Sequence, residues 1–303
     1  MRKINHGVCP SGWCCGIMSA IMKNVLLTIE YDGTNFSGWQ RQPGRRTVQG
    51  ELERVLSVLC KQEIRVQGTS RTDAGVHAYG QRACFQGEFG IPTDRIPVAA
   101  NHLLAGEGPY AVGDVRIREA REVDVEFHPR FDALGKKYIY KIRNAPEPDI
   151  LQRNYAYQIE KPLELDAMKQ AATHLVGEQD FRCFMAAGGN VPQSTVRTIY
   201  SAMWQQESLE NSGGKGSGKL EWYGPGSLDC DPSILTFSIR GNGFLYNMVR
   251  IIVGTLVDIG LGKIGPDDMK AIIQGKDRQR AGHTAPACGL YLAEVYFEED
   301  LVL

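Results

Sequence analysis

The stretch Gly68-Thr69-Ser70-Arg71-Thr72-Asp73-Ala74-Gly75-Val76-His77-Ala78-Tyr79-Gly80-Gln81 places one carboxylate, Asp73, between two glycines, with an arginine two residues before it. In extended backbone, residues i and i+2 point to the same side. Arg71 and Asp73 are therefore expected to face one cavity, with Thr72 turned away from it. A neighbouring guanidinium lowers a carboxylate pKa, so Asp73 is expected to stay ionised at neutral pH. An ionised, positioned carboxylate can act as a nucleophile or a base. Gly75 permits a positive φ and a close backbone approach. A surface ion pair in a turn, worth ~0–1 kcal/mol, would give the same pattern. Residue types alone leave both readings open.

Other candidates carry less. His77 follows the loop where a strand begins and reads as structural. His128 sits in Phe127-His128-Pro129-Arg130-Phe131, which reads as a chain turn; neither histidine is assigned a catalytic role. Gly213-Gly214-Lys215-Gly216-Ser217-Gly218-Lys219-Leu220 comes close to a phosphate-binding loop. Leu220, however, stands where a Ser or Thr must reach Mg²⁺, and the segment lies in low-complexity sequence. His6, Cys9, Cys14 and Cys15 are close in sequence, but no regular element is there to hold a metal, and none is assigned. The remaining four of the eight cysteines before the C-terminal region and Cys288 are scattered, which reads as free thiols in a reducing cytosol.

The elements that must hold Asp73 are legible around it. Asn24–Tyr31 reads as a first strand. Thr47 is a good N-cap with Glu51 in the first turn, and Val48, Leu52, Val55, Leu56 and Leu59 follow at helical spacing. A short strand is expected at Glu63–Val66, immediately before the Asp73 loop. Further strands are expected near Asp114–Ala120, Lys137–Arg143, Thr195–Trp204 and Ser233–Arg240, with Leu290 and Leu292 in a terminal strand. Leu165, Met168, Ala172 and Leu175 mark one helix. Phe244, Met248, Ile251, Ile252, Leu256 and Ile259 mark a long buried one. Strand–helix–strand runs in each half suggest an α+β chain of two halves, 22–125 and 126–303. Residues 209–232 read as a flexible Gly/Ser/Lys-rich insertion, and residues 1–21 as a disordered extension or a mis-assigned start.

Composition is that of an ordinary globular protein: 303 residues, 43% hydrophobic, 23% charged, net charge −1. No run of about twenty apolar residues exists to span a membrane. A near-neutral total does not exclude a nucleic-acid partner, because such partners respond to local basic patches. Arg41, Arg45 and Arg46 form one such patch, Lys136 and Lys137 another, and Arg278 and Arg280 a third.

The Asp73 loop resembles the signature loop of the tRNA pseudouridine synthase A family, and three further segments agree in order. They are Tyr31-Asp32-Gly33-Thr34-Asn35-Phe36-Ser37-Gly38-Trp39-Gln40-Arg41-Gln42 with Thr47–Glu53; Phe127–Ala133 running on to Lys136–Tyr140; and Gly243-Phe244-Leu245-Tyr246-Asn247-Met248-Val249-Arg250 continuing to Leu256. The resemblance covers the chain from about Met22 to its end. It implies two ferredoxin-like halves that join antiparallel sheets, with the active cleft between them. It implies isomerisation of uridine to pseudouridine at positions 38, 39 and 40 in the anticodon arm of tRNA, by a cytoplasmic homodimer. That reaction changes no net charge and oxidises nothing, so it calls for no cofactor and no metal. By resemblance Asp73 is the catalytic aspartate. By the same resemblance Arg71 pairs with it and fills the space left by the extruded base; Tyr138, which alternation alone would read as a core aromatic, stacks on the uracil and relays a proton; and Leu256 lines the uracil pocket, which is compatible with a place in the core. Arg250, a lone cation on an apolar helix, needs an anion; Asp73 is its natural partner, and a snorkelling surface arginine is the alternative. Arg41, Arg45 and Arg46 are expected to touch RNA phosphates. Thr69-Ser70 replaces the smaller residues expected before Arg71.

Residues 1–21 carry no apolar periodicity that could pack against the rest. Their deletion should leave melting temperature and tRNA turnover unchanged. A loss of several degrees or of activity would make the segment part of the folded structure.

Overall fold

A computed structural model describes residues 22–106, 108, 111–188, 193–209 and 232–298. The expectations for residues 1–21 and for the body of the 209–232 insertion, including the loop near Gly213–Leu220, lie outside the described residues. The described residues form one ten-stranded sheet. Its first part contributes β1 (Met22–Tyr31), β2 (Val66–Gly68), β3 (His77–Glu88) and β4 (Val115–Val123), with helices α1 (Val48–Cys60) and α2 (Ile96–Leu104). Its second part contributes β5 (Gly135–Asn144), β6 (Tyr157–Ile159), β7 (Gly177–Asp180), β8 (Val196–Ser208), β9 (Ser233–Gly241) and β10 (Leu290–Tyr296), with α3 (Leu165–Thr173), α4 (Met248–Gly260) and α5 (Asp268–Gly275).

The strand order β4-β1-β3-β10-β5-β9-β8-β7 shows how the parts meet. The last strand, β10, lies between them, antiparallel to β5 and parallel to β3 over Tyr291–His77 and Leu292–Ala78. β5 and β6 form the other parallel pair. Apart from these two contacts the ladders are antiparallel, and the α+β class expected from the sequence holds. Strand alternation gives the sheet one buried face. On β5 it carries Tyr138, Tyr140 and Ile142, and on β9 Leu235, Phe237 and Ile239, each set opposite its partner. Arg240, Tyr200 and Tyr296 cluster on the other face, where Arg240 sits 4.2 Å from the Tyr296 ring centroid.

The two helices that matter most for the site form for different reasons. α1 starts where Thr47, in extended conformation, accepts the Gly50 N–H at 3.3 Å. Its Val48, Leu52, Val55 and Leu56 bury one face, worth about 1.5–3 kcal/mol for each large side chain. α4 is apolar on nearly all sides and is almost wholly enclosed. Its expected start at Phe244 moves to Met248. Asn247 adopts φ 57°, the left-handed region that Asn tolerates better than most residues, and this sets where helical backbone begins.

Two further boundaries differ from the sequence reading, and two helices are new. The strand expected at Glu63–Val66 lies at Val66–Gly68, because the Ile64 N–H is taken by the Ser57 hydroxyl at 2.9 Å instead of a neighbouring strand. α3 ends at Thr173, and Leu175 reaches the core from beyond the helix. α2 and α5 had no counterpart in the sequence reading. They are nine and eight residues long, and α2 buries only Ile96 and Ala100, too few positions to define a period.

Candidate active site

The residues joining β2 to β3 cross the middle of the sheet and are tied down on both sides. Gln81, fully buried on β3, accepts the Ser70 N–H at 3.3 Å and donates to the Ser70 carbonyl at 2.7 Å. The Trp39 N–H donates to the Thr72 carbonyl at 3.0 Å, and the Thr72 and Tyr31 hydroxyls are 2.7 Å apart. A turn closes from the Val76 N–H to the Asp73 carbonyl at 3.2 Å, with Gly75 at φ 79°. Gly33 packs so closely that a Cβ there would lie 2.0 Å from the Val76 carbonyl oxygen. Gly33, Gly38 and Gly68 of these motifs are thus explained by contact between the two segments, while Gly80 lies against Ala293 of the last strand.

Asp73 therefore stands on rigid backbone, at the floor of a cleft of about 960 Å³. The cleft walls come from the Ser37–Gln42 loop, the Asp73 loop, the His128–Arg130 turn, β5 and the start of α4. Among the described residues that line it, Asp73 is the one carboxylate, facing Arg71, Arg130, Lys136 and Arg250. A shallower depression of about 470 Å³, over Thr28, Arg82, Arg118, Glu119 and Glu294, mixes both signs of charge and offers no comparable isolated acid.

The ion pair at the centre differs from the sequence expectation. Arg71 and Asp73 do share the cleft, and the Thr72 hydroxyl is turned into the protein, 2.7 Å from that of Tyr31. Arg71 is nevertheless exposed and makes no ion pair with Asp73. The partner is Arg250, whose Nη1 lies 3.3 Å from Asp73 Oδ2. Arg250 is held in turn: its Nε donates to the Ala285 carbonyl at 2.7 Å and its Nη1 to Asn247 Oδ1 at 2.9 Å. The Ala285 N–H returns a bond to the Arg250 carbonyl at 3.1 Å. The sequence reading expected a depressed Asp73 pKa. Burial instead pushes it above the ordinary carboxylate value, and Arg250 only partly offsets that rise.

Tyr138 lies beside this pair, buried on β5, its ring edge-on to Phe244 with centroids 5.1 Å apart. Burial pushes its pKa up to about 12, so it is a neutral phenol at neutral pH. Lys136 donates to the Thr69 carbonyl at 3.0 Å. Burial, together with Arg130 and Arg197, lowers its pKa to about 8. His128 is at the cleft rim, where its Nδ1 accepts the Arg130 N–H at 3.1 Å. His77 is outside the cleft lining. It accepts the Gly33 N–H at Nδ1 (3.1 Å) and donates from Nε2 to the Asn154 carbonyl (2.9 Å), the bonding of a neutral ring.

Two other expected placements change. Leu256 is fully buried in the core, and Leu245, from the loop before α4, is the leucine of that segment in the cleft wall. Arg41, Arg45 and Arg46 are exposed beside the cleft and are not part of its lining. Arg46 pairs with Asp114 and stacks on Phe36 (4.2 Å), and Arg41 lies 3.6 Å from Glu53. The sequence reading gave no role to Asn247; its spacing of three from Arg250 was the available signal.

The family profile described as tRNA pseudouridine synthase matches residues 27–132 and 171–298. The chain belongs to that family. It is 42% identical over 276 residues to the tRNA pseudouridine synthase A of Acetivibrio thermocellus, covering 91% of this chain and 100% of the relative. It is 44% identical over 273 residues to the Bacillus subtilis tRNA pseudouridine synthase A, covering 89% and 98%. The Clostridium tetani protein named tRNA pseudouridine synthase A 2 is 40% identical over 277 residues, covering 91% and 99%. In this family member the cleft, the lone acid and the clamped arginine form one unit.

That unit has a pH signature. If ionised Asp73 is the working form, turnover falls as pH drops through its pKa. The acid limb of kcat/KM should therefore lie above the ordinary aspartate value of about 3.9. Arg250→Met removes the charge that favours the carboxylate and should move this limb to still higher pH. An acid limb at the same pH in both proteins would separate Arg250 from the ionisation of Asp73.

Proposed function

We propose that the protein isomerises uridine to pseudouridine in the anticodon arm of tRNA, at positions 38, 39 and 40, with Asp73 as its catalytic carboxylate. The observation that carries this reading is a single acid on a rigid loop, in a cleft otherwise lined by cations, aromatic rings and neutral polar groups. The reaction breaks the N1–C1′ bond, turns the uracil, and rejoins it through C5. It requires one carboxylate near C1′ and C2′, a surface that holds the freed base, and a group that takes part in removing the C5 proton. Asp73 supplies the first by attacking C1′ or by taking a C2′ proton. Tyr138 and Phe244 supply aromatic surface, and the neutral Tyr138 hydroxyl can pass a proton. Arg71 is exposed on the same side as Asp73, where it suits the space left when the target nucleotide leaves its stack. No step in this scheme transfers electrons or calls for a metal.

An RNA-binding module without activity explains the cations but not the acid. A carboxylate in a phosphate-binding cleft weakens binding, and its half-burial beside Arg250 adds a desolvation cost. An aspartic hydrolase needs two carboxylates sharing a proton, and the described cleft lining has one.

We further assign the active form as a cytoplasmic homodimer, so that one tRNA touches both subunits. Exposed apolar side chains such as Met203 and Tyr200, 58% and 49% accessible, agree with a face that a second copy covers.

Asp73→Asn should fold normally and lose at least ~10³-fold in turnover, because no second carboxylate in the described lining can replace it. The measurement is pseudouridine mapping on unmodified tRNA; retention of more than a tenth of the wild-type rate would remove Asp73 from the mechanism.

Phosphate grip is a separate readout. Each lost phosphate contact should flatten the slope of log K against log salt by roughly 0.7–0.9. Changing Arg41, Arg45 and Arg46 together to Ala should weaken tRNA binding most at low salt. Arg45 should contribute most, since Arg41 and Arg46 already face acids. Rate at saturating tRNA should change little, with sedimentation showing both proteins dimeric. Parallel salt slopes would place this loop away from the RNA.

A further inference from the structure

Phe131 is 75% exposed, more than any other aromatic side chain among the described residues. Single exposed apolar residues are ordinary on protein surfaces, but this one is held in place. In the turn that carries it, the Phe131 and Asp132 N–H groups both donate to the His128 carbonyl at 3.1 Å. The Asp132 carboxylate turns back to accept the His128 N–H at 2.8 Å, and His128 Nδ1 accepts the Arg130 N–H at 3.1 Å. The Thr69 hydroxyl donates to the Pro129 carbonyl at 3.0 Å, which ties the turn to the start of the Asp73 loop. The Phe131 ring lies against the His128 ring, with centroids 4.3 Å apart, and His128 lines the cleft. A stiff turn thus holds an uncovered aromatic ring at the cleft rim. The charge around it is of one sign. Arg130, next in the chain, is exposed in the cleft wall and makes no ion pair among the described residues. Lys136, also in that wall, has Arg130 and Arg197 as its charged neighbours. An aromatic ring beside unneutralised cations is the arrangement that binds single-stranded nucleic acid, the ring taking a base and the cations the backbone.

We propose that Phe131, backed by His128, is a stacking platform for a nucleobase next to the extruded uridine. This rests on the reading of the site as a pseudouridine synthase. Delivering a uridine to Asp73 takes it out of its stack, and a base beside it then loses a partner on one face. An exposed ring replaces that partner whatever the base, because every base has a π-face. Arg130, beside the ring, supplies a charge for the adjoining phosphate. The turn is fixed before any RNA arrives, so the ring gives up little conformational freedom on binding.

Substitutions of the ring separate stacking from simple apolar contact. Phe131→Ala should raise KM on unmodified tRNA about ten-fold, the loss of one base–aromatic stack. Its melting temperature should match that of wild type, since the ring buries little of its surface in the protein. Phe131→Trp should keep the wild-type KM and Phe131→Leu should not; a wild-type KM in Phe131→Leu would overturn the proposal. The decisive measurement uses transcripts with an abasic residue in place of each nucleotide flanking the target, one at a time. At one position the abasic residue should slow wild type about ten-fold and slow Phe131→Ala no further, and it identifies the stacked base. Losses that multiply at every position, a loss in kcat instead of KM, or a fall of several degrees in melting temperature would overturn the proposal. So would a Phe131→Ala protein that sediments as a smaller species than wild type, which would make the ring a contact between two copies. A wild type that forms no pseudouridine on the unmodified transcript would overturn the underlying reading, and the proposal with it. Activity on that transcript with uncoupled losses would overturn the proposal alone.

Discussion

The structure is organised around keeping one carboxylate charged after much of its water has been taken away. Asp73 and Arg250 are 177 residues apart in sequence and 3.3 Å apart in space. Burial pulls the carboxyl towards its neutral form, and the guanidinium pulls it back. The balance holds only if the loop before β3 and the start of α4 are fixed relative to each other. The position of β10 follows from this need. Inserted between β3 and β5, the last strand makes one sheet of the strands beneath the Asp73 loop and those beneath Tyr138. The segment that leads into β10 also supplies the Ala285 carbonyl that fixes Arg250 Nε. A single stretch of chain therefore closes the sheet and aims the cation.

Much of this was legible, and the failures have physical causes. Asp73 and Gly75 could be placed in the cleft loop from their motif, and Tyr138 from the family resemblance, since alternation alone reads it as a core aromatic of its strand. Arg250 could be placed because a cation on an apolar helix has few acceptable surroundings. The Arg71–Asp73 pair failed although the alternation behind it was right. Sharing a side does not bring two groups into contact, and the carboxylate found a better-held cation from a distant helix. Leu256 lies in the core and outside the cleft lining, because a helix buried on nearly all sides has no single face that sequence can assign to a pocket. The depressed pKa expected for Asp73 failed because sequence reveals neighbouring charges more readily than it reveals desolvation.

Asn247 illustrates information that no periodicity carries. Its left-handed backbone ends the loop, starts α4, and turns its side-chain oxygen back onto Arg250 three residues later. Most other side chains would meet steric resistance at φ 57° or lack the acceptor. The conformational preference of one residue thus sets where the helix begins and how its arginine is held. Moving that start by one residue would rotate Arg250 by about 100° around the helix axis and away from Asp73.

Ser70 and Tyr138 are polar groups kept together in a place where water is scarce. Elsewhere behind the loop the polar atoms are matched: Thr72 with Tyr31, and Gln81 with both backbone groups of Ser70. Such matching is the normal state of a protein interior. At the edge of that network the Ser70 hydroxyl meets the Tyr138 phenol and eases its ionisation, next to the one acid in the described cleft lining. A loop whose backbone and side chains are matched in this way is stiff and holds the phenol and the acid in a fixed relation. That stiffness suits a reaction in which the base must be released from its sugar, turned and held again without leaving the site.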